Sequence, residues 1–308
     1  MNARHILPAL LLITTYLPAN NYATTLDSSS ANKFRVFEAT KYKNKPDMSE
    51  FNIQKLGLLY DHEFWKKKEN RDELPKDKTI ERLARKYSKY EYIVLDIEHW
   101  KTQGYRYRPW IPQNNIEKYI YVFNEFKKYT PNSKVGYFAK VPVSNYKLSL
   151  SKPGDELHDR WAEENKKMKP IADIVDVAYP STYTYEKDWC KWEQSFISKL
   201  NQMKKIHKGE FFPFIWPQYH EKPVDKSIRL KYIDFNFWLF QLVTTKKHAD
   251  GVVIWGGWDF HQWTRKTWDS NTEWWAATRY FIKNQNSEEL LNMSCIDQHK
   301  QLNIELLP

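Results

Sequence analysis

The sequence lacks the short motifs that mark several classes of cofactor and metal enzyme. No C-x-x-C, H-E-x-x-H, P-loop or G-x-G-x-x-G pattern occurs in its 308 residues, so nothing indicates a redox dithiol, a zinc protease or a nucleotide-binding loop. It has only two cysteines, Cys190 and Cys295. An exported protein can pair them, but two are too few for a disulfide scaffold. We therefore expect no cofactor and no metal.

Long apolar runs are absent after the N-terminus, since no later segment approaches the 18 apolar residues of a transmembrane helix. The first residues combine a basic start at Arg4 with a short apolar stretch over 6–18 and a small residue, Ala23. This order is typical of a secretory signal. We predict a signal peptide over 1–23 and a flexible lead-in over 24–33, with a retained membrane anchor as the alternative. The mature protein is expected to be secreted, or periplasmic in a bacterium, without stable membrane insertion.

Acidic residues are the minority among the charged ones, with 38 Asp and Glu against 48 Lys and Arg and a formal net charge of +10. Loss of the signal, whose one charged residue is Arg4, leaves the mature chain near +9. A basic exported protein favours polyanionic partners. The lysines are spread along helical stretches and no nucleic-acid motif is visible. We predict an anionic glycosaminoglycan as partner, no nucleic acid and a monomer; plain solubility also explains the charge.

Aromatic residues are abundant, at 16% of the chain with 14 Trp, in an otherwise ordinary globular composition of 41% hydrophobic and 28% charged residues. Trp and Tyr offer a flat apolar face with a polar tip. Sugar-binding grooves use such faces, and so do large cores, so composition leaves both interpretations open.

Short runs rich in β-branched and aromatic residues alternate with amphipathic, charged stretches after residue 33. Such alternation indicates parallel βαβ units, and a closed barrel fits better than an open doubly wound sheet because no glycine-rich turn follows the first strand. We predict an α/β fold, a TIM-type (β/α) barrel over 34–286 with seven main parallel strands, and a C-terminal tail over 287–308. The predicted strands are 34–40, 56–61, 92–98, 134–140, 174–181, 211–218 and 251–257, and the clearest helices are 79–90, 115–129 and 228–248.

Polar and aromatic residues stand at the ends of five predicted strands, the pole where parallel barrels carry their chemistry. These residues are Asp61 on the second strand, Asp96 and Glu98 on the third, Tyr183 on the fifth, Trp216 and Tyr219 on the sixth, and Trp255 and Trp258 on the seventh. Five such endings at one pole predict an acidic cleft with aromatic walls.

The segment YIVLDIEHW (92–100) places two carboxyl groups at the end of a strand. Side chains at i and i+2 share a face, so Asp96 and Glu98 are predicted to point into the barrel mouth, about 6 to 7 Å apart. Each raises the pKa of the other group, so one of them is protonated, and a protonated acid beside an ionised one suits glycoside hydrolysis. Glu98 lies further out and is longer, so we assign it as the acid. A salt bridge or a helix cap is the structural alternative.

Other roles remain open at individual positions. His62, His99 and His261 lie near strand ends beside aspartates, which is a possible metal arrangement, but no clustered His pair supports it and His99 points away from the acids on a regular strand. Asp61 either faces the cleft or caps a helix. The remaining tryptophans near the C-terminus are assigned to packing: Trp263, Trp268, Trp274 and Trp275.

Taken in order, these segments resemble the hyaluronidase family of glycoside hydrolases, of the animal and venom type. The similar segments are LGLLYDHEF, VLDIEHW with its D-x-E, VGYFAKVP, AYPSTY, PFIWPQYHEK and ADGVVIWGGWD, which together extend over residues 34–283. The ordered set is much more specific than any one of its members.

The resemblance implies a distorted (β/α) barrel and a retaining endo-glycosidase that cleaves beside N-acetylhexosamine, in hyaluronan or chondroitin for example. Glu98 would protonate the glycosidic oxygen while the substrate's N-acetyl oxygen attacks the anomeric carbon, an exception to the usual two-carboxylate arrangement. Asp96 would polarise the acetamide, Tyr183 would hydrogen-bond near the reacting sugar, and Trp255 would wall the acetamide pocket.

The chain also departs from the family pattern. A family cysteine-tyrosine-asparagine context reads VPVSNY here, which makes Tyr146 the candidate for the displaced tyrosine, and the two family disulfides are not reproduced by Cys190 and Cys295. A shorter segment between the third and fourth strands keeps chitin-like chains and peptidoglycan glycan open as substrates. A non-catalytic, lectin-like barrel is the alternative from another class, and a metal-dependent hydrolase is the third, because a fold does not fix a function.

Overall fold

Parallel strands form the centre of the structure, with helices around them. The computed structural model describes residues 34–66, 70–103, 110–260 and 262–299. The strands are β1 (Arg35–Thr40), β2 (Gln54–Lys55), β3 (Gly57–Tyr60), β4 (Tyr92–Asp96), β5 (Lys134–Tyr137), β6 (Val177–Ala178), β7 (Glu210–Phe211), β8 (Phe214–Ile215), β9 (Gly251–Gly256), β10 (Trp258–Asp259) and β11 (Thr264–Arg265). The α-helices are α1 (Asp61–Phe64), α2 (Asp77–Tyr87), α3 (Trp110–Lys127), α4 (Tyr146–Ser149), α5 (Glu156–Lys167), α6 (Lys169–Ala172), α7 (Trp189–Ile206), α8 (Phe235–His248), α9 (Glu273–Asn284) and α10 (Glu288–Leu291).

The strand pairings can be followed around a complete ring. β1 pairs with β2 and β9, and β3, which continues the chain of β2, pairs with β4, which pairs with β5. A bridge from Phe138 to Tyr179 joins β5 to β6, β6 pairs with β7, a bridge from Ser181 to Phe214 leads to β8, and β8 pairs with β9. All of these pairings are parallel, so the strands end at one pole. With β2 and β3 counted as one position, and β7 and β8 as another, the ring has seven, which confirms the predicted α/β barrel.

Alternating side chains fill the inside and the outside of the ring. On β4, Val94 belongs to the inner cluster, whereas Ile93 and Leu95 belong to the larger cluster between the strands and the helices. Burial on both faces explains why these strands are almost continuously hydrophobic. Gly136 lets β5 approach β6, because a Cβ at this position would lie 2.1 Å from the carbonyl oxygen of Val177.

Six of the seven predicted strands end earlier in the structure than the sequence predicts. β4 stops at Asp96 instead of Glu98, because the carbonyl of Ile97 accepts a hydrogen bond from the Tyr119 hydroxyl at 2.7 Å rather than from a neighbouring strand. The predicted strand 174–181 is regular only over β6, and the predicted strand 211–218 is divided into β7 and β8 around Pro213, which has no N–H to donate.

The predicted helices are confirmed with shifted ends. The stretch 79–90 corresponds to α2 and the stretch 115–129 to α3. Within 228–248 the helix α8 begins only at Phe235, because the Asp234 side chain accepts a hydrogen bond from the backbone N–H of Phe237 and caps the helix there. In the described part of the chain, no helix combines the length and the apolarity needed to cross a membrane.

The C-terminal segment packs onto the helices of the barrel. Leu290 and Met293 are buried in the outer core cluster, and Cys295 forms a disulfide with Cys190 at the start of α7. The pairing that the sequence left open is therefore made. The predicted signal peptide and lead-in, and the tail beyond residue 299, lie outside the described residues.

A lysine is buried between α7 and the barrel. The Lys199 side chain is 1% exposed, and its Nζ donates a hydrogen bond to the Ser181 carbonyl at 2.9 Å. Burial lowers the pKa of Lys199 to about 7 from the ordinary 10.5. The unfolded chain therefore holds this proton up to a higher pH than the folded chain, and stability rises with pH between these two values.

We expect Lys199→Met to raise the free energy of unfolding at pH 7 by about 2 kcal/mol, because it removes a buried charge. The gain should shrink as the pH rises toward 10.5, because loss of the proton from the lysine costs less free energy as the pH approaches its ordinary pKa. Denaturant unfolding at pH 7 and pH 9.5 measures this, with Lys204→Met as the exposed control on the same helix. An equal gain at both pH values would contradict the assignment.

Candidate active site

A cavity of about 430 Å³ opens at the pole where the strands end. Its described lining contains three carboxyl groups, Asp96, Glu98 and Glu221. The other lining side chains are mainly aromatic: Phe138, Tyr183, Tyr185, Phe214, Trp216, Trp255, Phe260 and Trp263. The acidic cleft with aromatic walls that the strand ends predict thus exists at this pole.

Asp96 and Glu98 both line the cavity, but they stand on different kinds of backbone. Asp96 is the last residue of β4 and half-buried, whereas Glu98 is exposed on the loop that follows. Ile97 between them is buried in the outer cluster, so the alternation of sides continues beyond the strand. The Tyr119 hydroxyl lies 2.7 Å from the Ile97 carbonyl and 3.0 Å from the Trp100 carbonyl. This buried tyrosine therefore holds the loop that carries Glu98.

The two carboxyl groups share a hydrogen bond, and the pKa of Asp96 is raised. Burial, and then the neighbouring charge of Glu98, hold the pKa of Asp96 well above its usual range. One Asp96 oxygen is buried without a hydrogen-bond partner among the described residues, so ionisation would leave an unpaired charge. The sequence predicted one raised pKa in this pair and assigned the proton to Glu98. The pKa of Asp96 is raised because this residue lies deeper in the barrel and loses more hydration, and the assignment of Glu98 as the acid stays a prediction.

The positive charge of the half-buried Lys140 opposes the rise in the pKa of Asp96. Burial lowers the pKa of Lys140 to about 8, while the charges of Glu98 and Asp96 act to raise it. Its positive charge in turn lowers the pKa of Asp96. The ammonium lies 5.0 Å from the ring centroid of Tyr119, within the range of a cation–π contact. Sequence patterns did not single out Lys140, since its effect depends on the packing of β5 beside β4.

Tyr183, Trp216 and Trp255 form the aromatic floor beside the acids. The Tyr183 ring stacks on Trp255 at 5.7 Å and meets the edge of Trp216 at 5.5 Å. Burial raises the pKa of the Tyr183 hydroxyl, and the charges of Asp96 and Glu98 raise it further, so it stays a neutral donor. The Trp255 indole N–H donates to the Tyr60 hydroxyl at 3.0 Å. These contacts fix the rings, so the predicted residues Tyr183, Trp216 and Trp255 share one cavity with the acids.

Four predicted residues do not line this cavity. Asp61 is the first residue of α1, because the chain turns into a helix directly after β3, and its carboxyl pairs with Arg71 at 2.8 Å. Tyr146 stands behind the wall, stacked on Tyr185 at 4.6 Å.

Tyr219 and Trp258 are the other two, and both point elsewhere. Tyr219 is 3% exposed and lines a separate cavity of about 540 Å³, because the chain bends after Pro217. Trp258 is half-buried in the short β10–β11 hairpin and hydrogen-bonds to Tyr60 through its side chain. It therefore supports the Trp255–Tyr60 contact rather than the cavity surface.

Several cavity residues were not predicted from the sequence. Trp263 was assigned to packing, but its side chain is 76% exposed and lies at the cavity rim beside Phe260, at a ring distance of 5.9 Å. Trp274 and Trp275 are buried, as predicted. Tyr185, His220 and Glu221 also line the cavity. They lie within two residues of Tyr183 or Tyr219, the last residues considered at the ends of the fifth and sixth predicted strands. Extending each strand end by two residues would have included them.

The histidines proposed for a metal site have other contacts. His99 lies with Nε2 2.7 Å from the Arg71 carbonyl and Nδ1 3.6 Å from an Asp61 oxygen, and His62 stacks on Tyr60. Within the described ranges, no group of three or more His, Cys, Asp and Glu side chains is arranged to hold a metal ion. His261 lies outside the described residues.

Comparison with known proteins shows a likeness of fold. The sequence matches no family model and no curated protein. The structure is similar to bee venom hyaluronidase in a monoclinic crystal form, with a TM-score of 0.57 and 15% identity over 84% of this chain and 98% of the bee chain. It is also similar to bee venom hyaluronidase in complex with a hyaluronic acid tetramer, with a TM-score of 0.53, the same identity and the same coverage. At this identity the likeness supports the distorted barrel and leaves the chemistry to the site itself.

We expect Asp96→Asn to stabilise the protein at pH 7 by roughly 1 to 3 kcal/mol, because it removes a carboxyl whose ionisation is disfavoured by burial. A raised pKa in the folded state means that stability falls as pH rises through the ordinary aspartate range and above it. The gain should therefore vanish near pH 3.

Thermal unfolding between pH 3 and pH 8 measures this effect. Asp61→Asn is the matched control, because hydrogen bonding to His99 and the charge of Arg71 lower the pKa of Asp61. Its removal should destabilise the protein at pH 7. If Asp96→Asn destabilised the protein as much as Asp61→Asn does, Asp96 would be ionised and paired in the folded protein.

Proposed function

We propose that this protein is a secreted, retaining endo-glycosidase of hyaluronidase type, which cleaves a polysaccharide beside an N-acetylhexosamine by substrate-assisted catalysis. The observation that carries the proposal is the carboxyl pair: a half-buried Asp96 with a raised pKa, hydrogen-bonded to an exposed Glu98, in an aromatic cavity. Glycoside hydrolysis needs one carboxyl that gives a proton beside a second group that supports the reacting centre.

The aromatic floor suits a pyranose ring. Trp255 and Tyr183 offer ring faces to the apolar C–H surface of a sugar, with the buried Trp216 packed against both, and Tyr183 adds a neutral hydroxyl donor. Trp255 is fixed by its hydrogen bond to Tyr60, so the wall is in place before a substrate enters. Preorganised walls of this kind reduce the entropy lost on binding.

In the first step the proton of the carboxyl pair reaches the leaving group. When an acetamide N–H donates to Asp96, it stabilises the ionised form of Asp96, and the shared proton passes to Glu98. Glu98 then protonates the glycosidic oxygen as the bond from the anomeric carbon to that oxygen breaks. The acetamide carbonyl oxygen of the same sugar attacks the anomeric carbon and forms a cyclic oxazolinium, whose positive charge lies beside Asp96.

In the second step water reopens the ring. Glu98, now ionised, takes a proton from the water as its oxygen attacks the anomeric carbon, and the carbon–oxygen bond of the oxazolinium breaks. The acetamide is restored and the proton is back on the carboxyl pair. Two inversions at one carbon give net retention, and no second carboxylate is needed on the opposite face.

The barrel fold and the disulfide agree with the proposal, but its main support is the carboxyl pair. The barrel is similar to that of bee venom hyaluronidase, one structure of which holds a hyaluronic acid tetramer. The Cys190–Cys295 disulfide suits a protein that works in an oxidising compartment.

We expect Glu98→Gln to lower kcat on a cleaved N-acetylhexosamine polymer by about a factor of 100 or more, because it removes the proton donor. Binding should be retained, since the amide keeps the shape of the side chain. Product formation by reducing ends and mass spectrometry, beside calorimetric binding, measures both. Glu289→Gln is the control with the same change of charge at an exposed helix position.

The panel of polymers contains hyaluronan, chondroitin, chitin oligomers and peptidoglycan. Wild-type protein that binds one of them and releases no products, with equal binding by Glu98→Gln, would exclude the hydrolase and leave a carbohydrate-binding barrel. Activity abolished by EDTA would instead favour metal-dependent chemistry.

A further inference from the structure

A stack of three rings forms the cavity wall next to Tyr183. Tyr146 stacks on Tyr185 at 4.6 Å and 16°, and Tyr185 stacks on His220 at 4.3 Å and 23°. The Tyr146 hydroxyl donates to Glu186 at 2.5 Å, which anchors the far end of the stack. The inner side of this wall is formed by Tyr185, His220 and the adjacent Glu221, and all three line the cavity. We call these three residues the Glu221 wall.

The Glu221 wall lies directly beside the place proposed for the hexosamine. His220 packs near Trp216 at 6.2 Å and near Tyr183 at 6.3 Å, and both of these rings contact Trp255. The His220 side of the cavity is therefore one ring away from Trp255. A sugar bonded to the hexosamine on this side meets the Glu221 wall.

The imidazole of this wall is an uncharged donor. His220 Nδ1 accepts a hydrogen bond from the backbone N–H of Lys222 at 3.0 Å, so the proton of the neutral ring is on Nε2. Burial lowers the pKa of His220 to about 4, so the ring adds no positive charge at neutral pH. It can donate one hydrogen bond to a sugar oxygen.

Glu221 gives the wall a negative charge. Its side chain is 35% exposed, and the cation near it is the Lys222 ammonium, 3.5 Å away on a side chain that is 81% exposed. An ion pair this open is strongly screened and neutralises little. Together with Asp96 and Glu98, the described cavity lining has three carboxyl groups and neither Lys nor Arg. Lys140 lies beside Asp96 and Glu98, so Glu221 is the carboxylate that gives the wall side of the described cavity its negative charge.

Glycosaminoglycans such as hyaluronan alternate hexosamine with uronate, so a hexosamine in the site has a uronate on each side. A uronate bonded to the hexosamine on the side of the Glu221 wall would bring a second carboxylate toward that of Glu221, and neighbouring like charges disfavour a partner. A neutral sugar offers hydroxyl groups, which donate to a carboxylate and accept from an imidazole N–H. The stacked Tyr185 ring suits its apolar face.

We infer that the sugar held by the Glu221 wall is uncharged, so that the substrate is a neutral N-acetylhexosamine polymer of chitin-like chemistry rather than a uronate-containing glycosaminoglycan. This inference rests on the proposed function for the position of the hexosamine. It replaces the anionic partner expected from the net charge, because the charge of the cavity, not that of the whole chain, meets the substrate.

The test separates charge from linkage. Binding is measured by calorimetry in the Glu98→Gln background, where no oligosaccharide is consumed, and turnover is measured in the wild-type background. The probes are N-acetylchitohexaose, a hyaluronan hexasaccharide, and the same hexasaccharide with its uronates reduced to glucose. Each is tested with and without Glu221→Gln, and with Glu156→Gln as the control for an equal change of charge at an exposed position.

We expect the carboxyl-reduced hexasaccharide to bind about tenfold or more tightly than native hyaluronan hexasaccharide, and Glu221→Gln to remove most of that ratio. A circular dichroism spectrum and an unfolding midpoint equal to those of Glu156→Gln show that the Glu221→Gln variant is folded. Native hyaluronan that binds as tightly as its reduced form, or a ratio that Glu221→Gln leaves unchanged, would overturn the inference. So would failure of all three probes to bind.

The two proposals fail differently in this design. If the neutral probes bind with the expected preference and the wild-type protein releases no products, the glycosidase proposal is wrong and the substrate class stands. If hyaluronan is cleaved as fast as its reduced form, the glycosidase proposal stands and the substrate class is wrong.

Discussion

The hydrogen bond between the Asp96 and Glu98 carboxyl groups is the interaction on which the rest of the site depends. One of its partners ends a barrel strand and is half-buried, and the other stands on an exposed loop. Burial of Asp96 and the neighbouring charge of Glu98 both raise the pKa of Asp96, because two carboxylates this close disfavour each other's ionisation. Tyr119 fixes the loop and Lys140 moderates the charge. The surroundings of the pair therefore regulate a single proton.

The sequence predicts the architecture of this protein well, because its patterns are local. Strand alternation placed Asp96 and Glu98 on one face at the barrel mouth, and both line the cavity there. The strand-end rule collected Tyr183, Trp216 and Trp255 around the acids.

What sequence patterns could not supply are the interactions between distant segments. The end of β4 is set by Tyr119, 22 residues away, and the raised pKa belongs to Asp96 because of its depth in the assembled barrel. Tyr146 lies behind Tyr185 and Trp263 lies at the cavity rim for the same reason. Each position depends on how the loops after different strands meet, and no periodicity within one strand encodes that.

The disulfide between Cys190 and Cys295 closes a covalent loop over a sequence separation of 105 residues. This loop contains strands β7 to β9, the helix α8 and the β10–β11 hairpin that carries the exposed Trp263. A protease that cut the hairpin would open the backbone without releasing a fragment, because both new pieces would stay joined through sulfur. Electrophoresis without a reducing agent would then show a nicked molecule at the mass of an intact one.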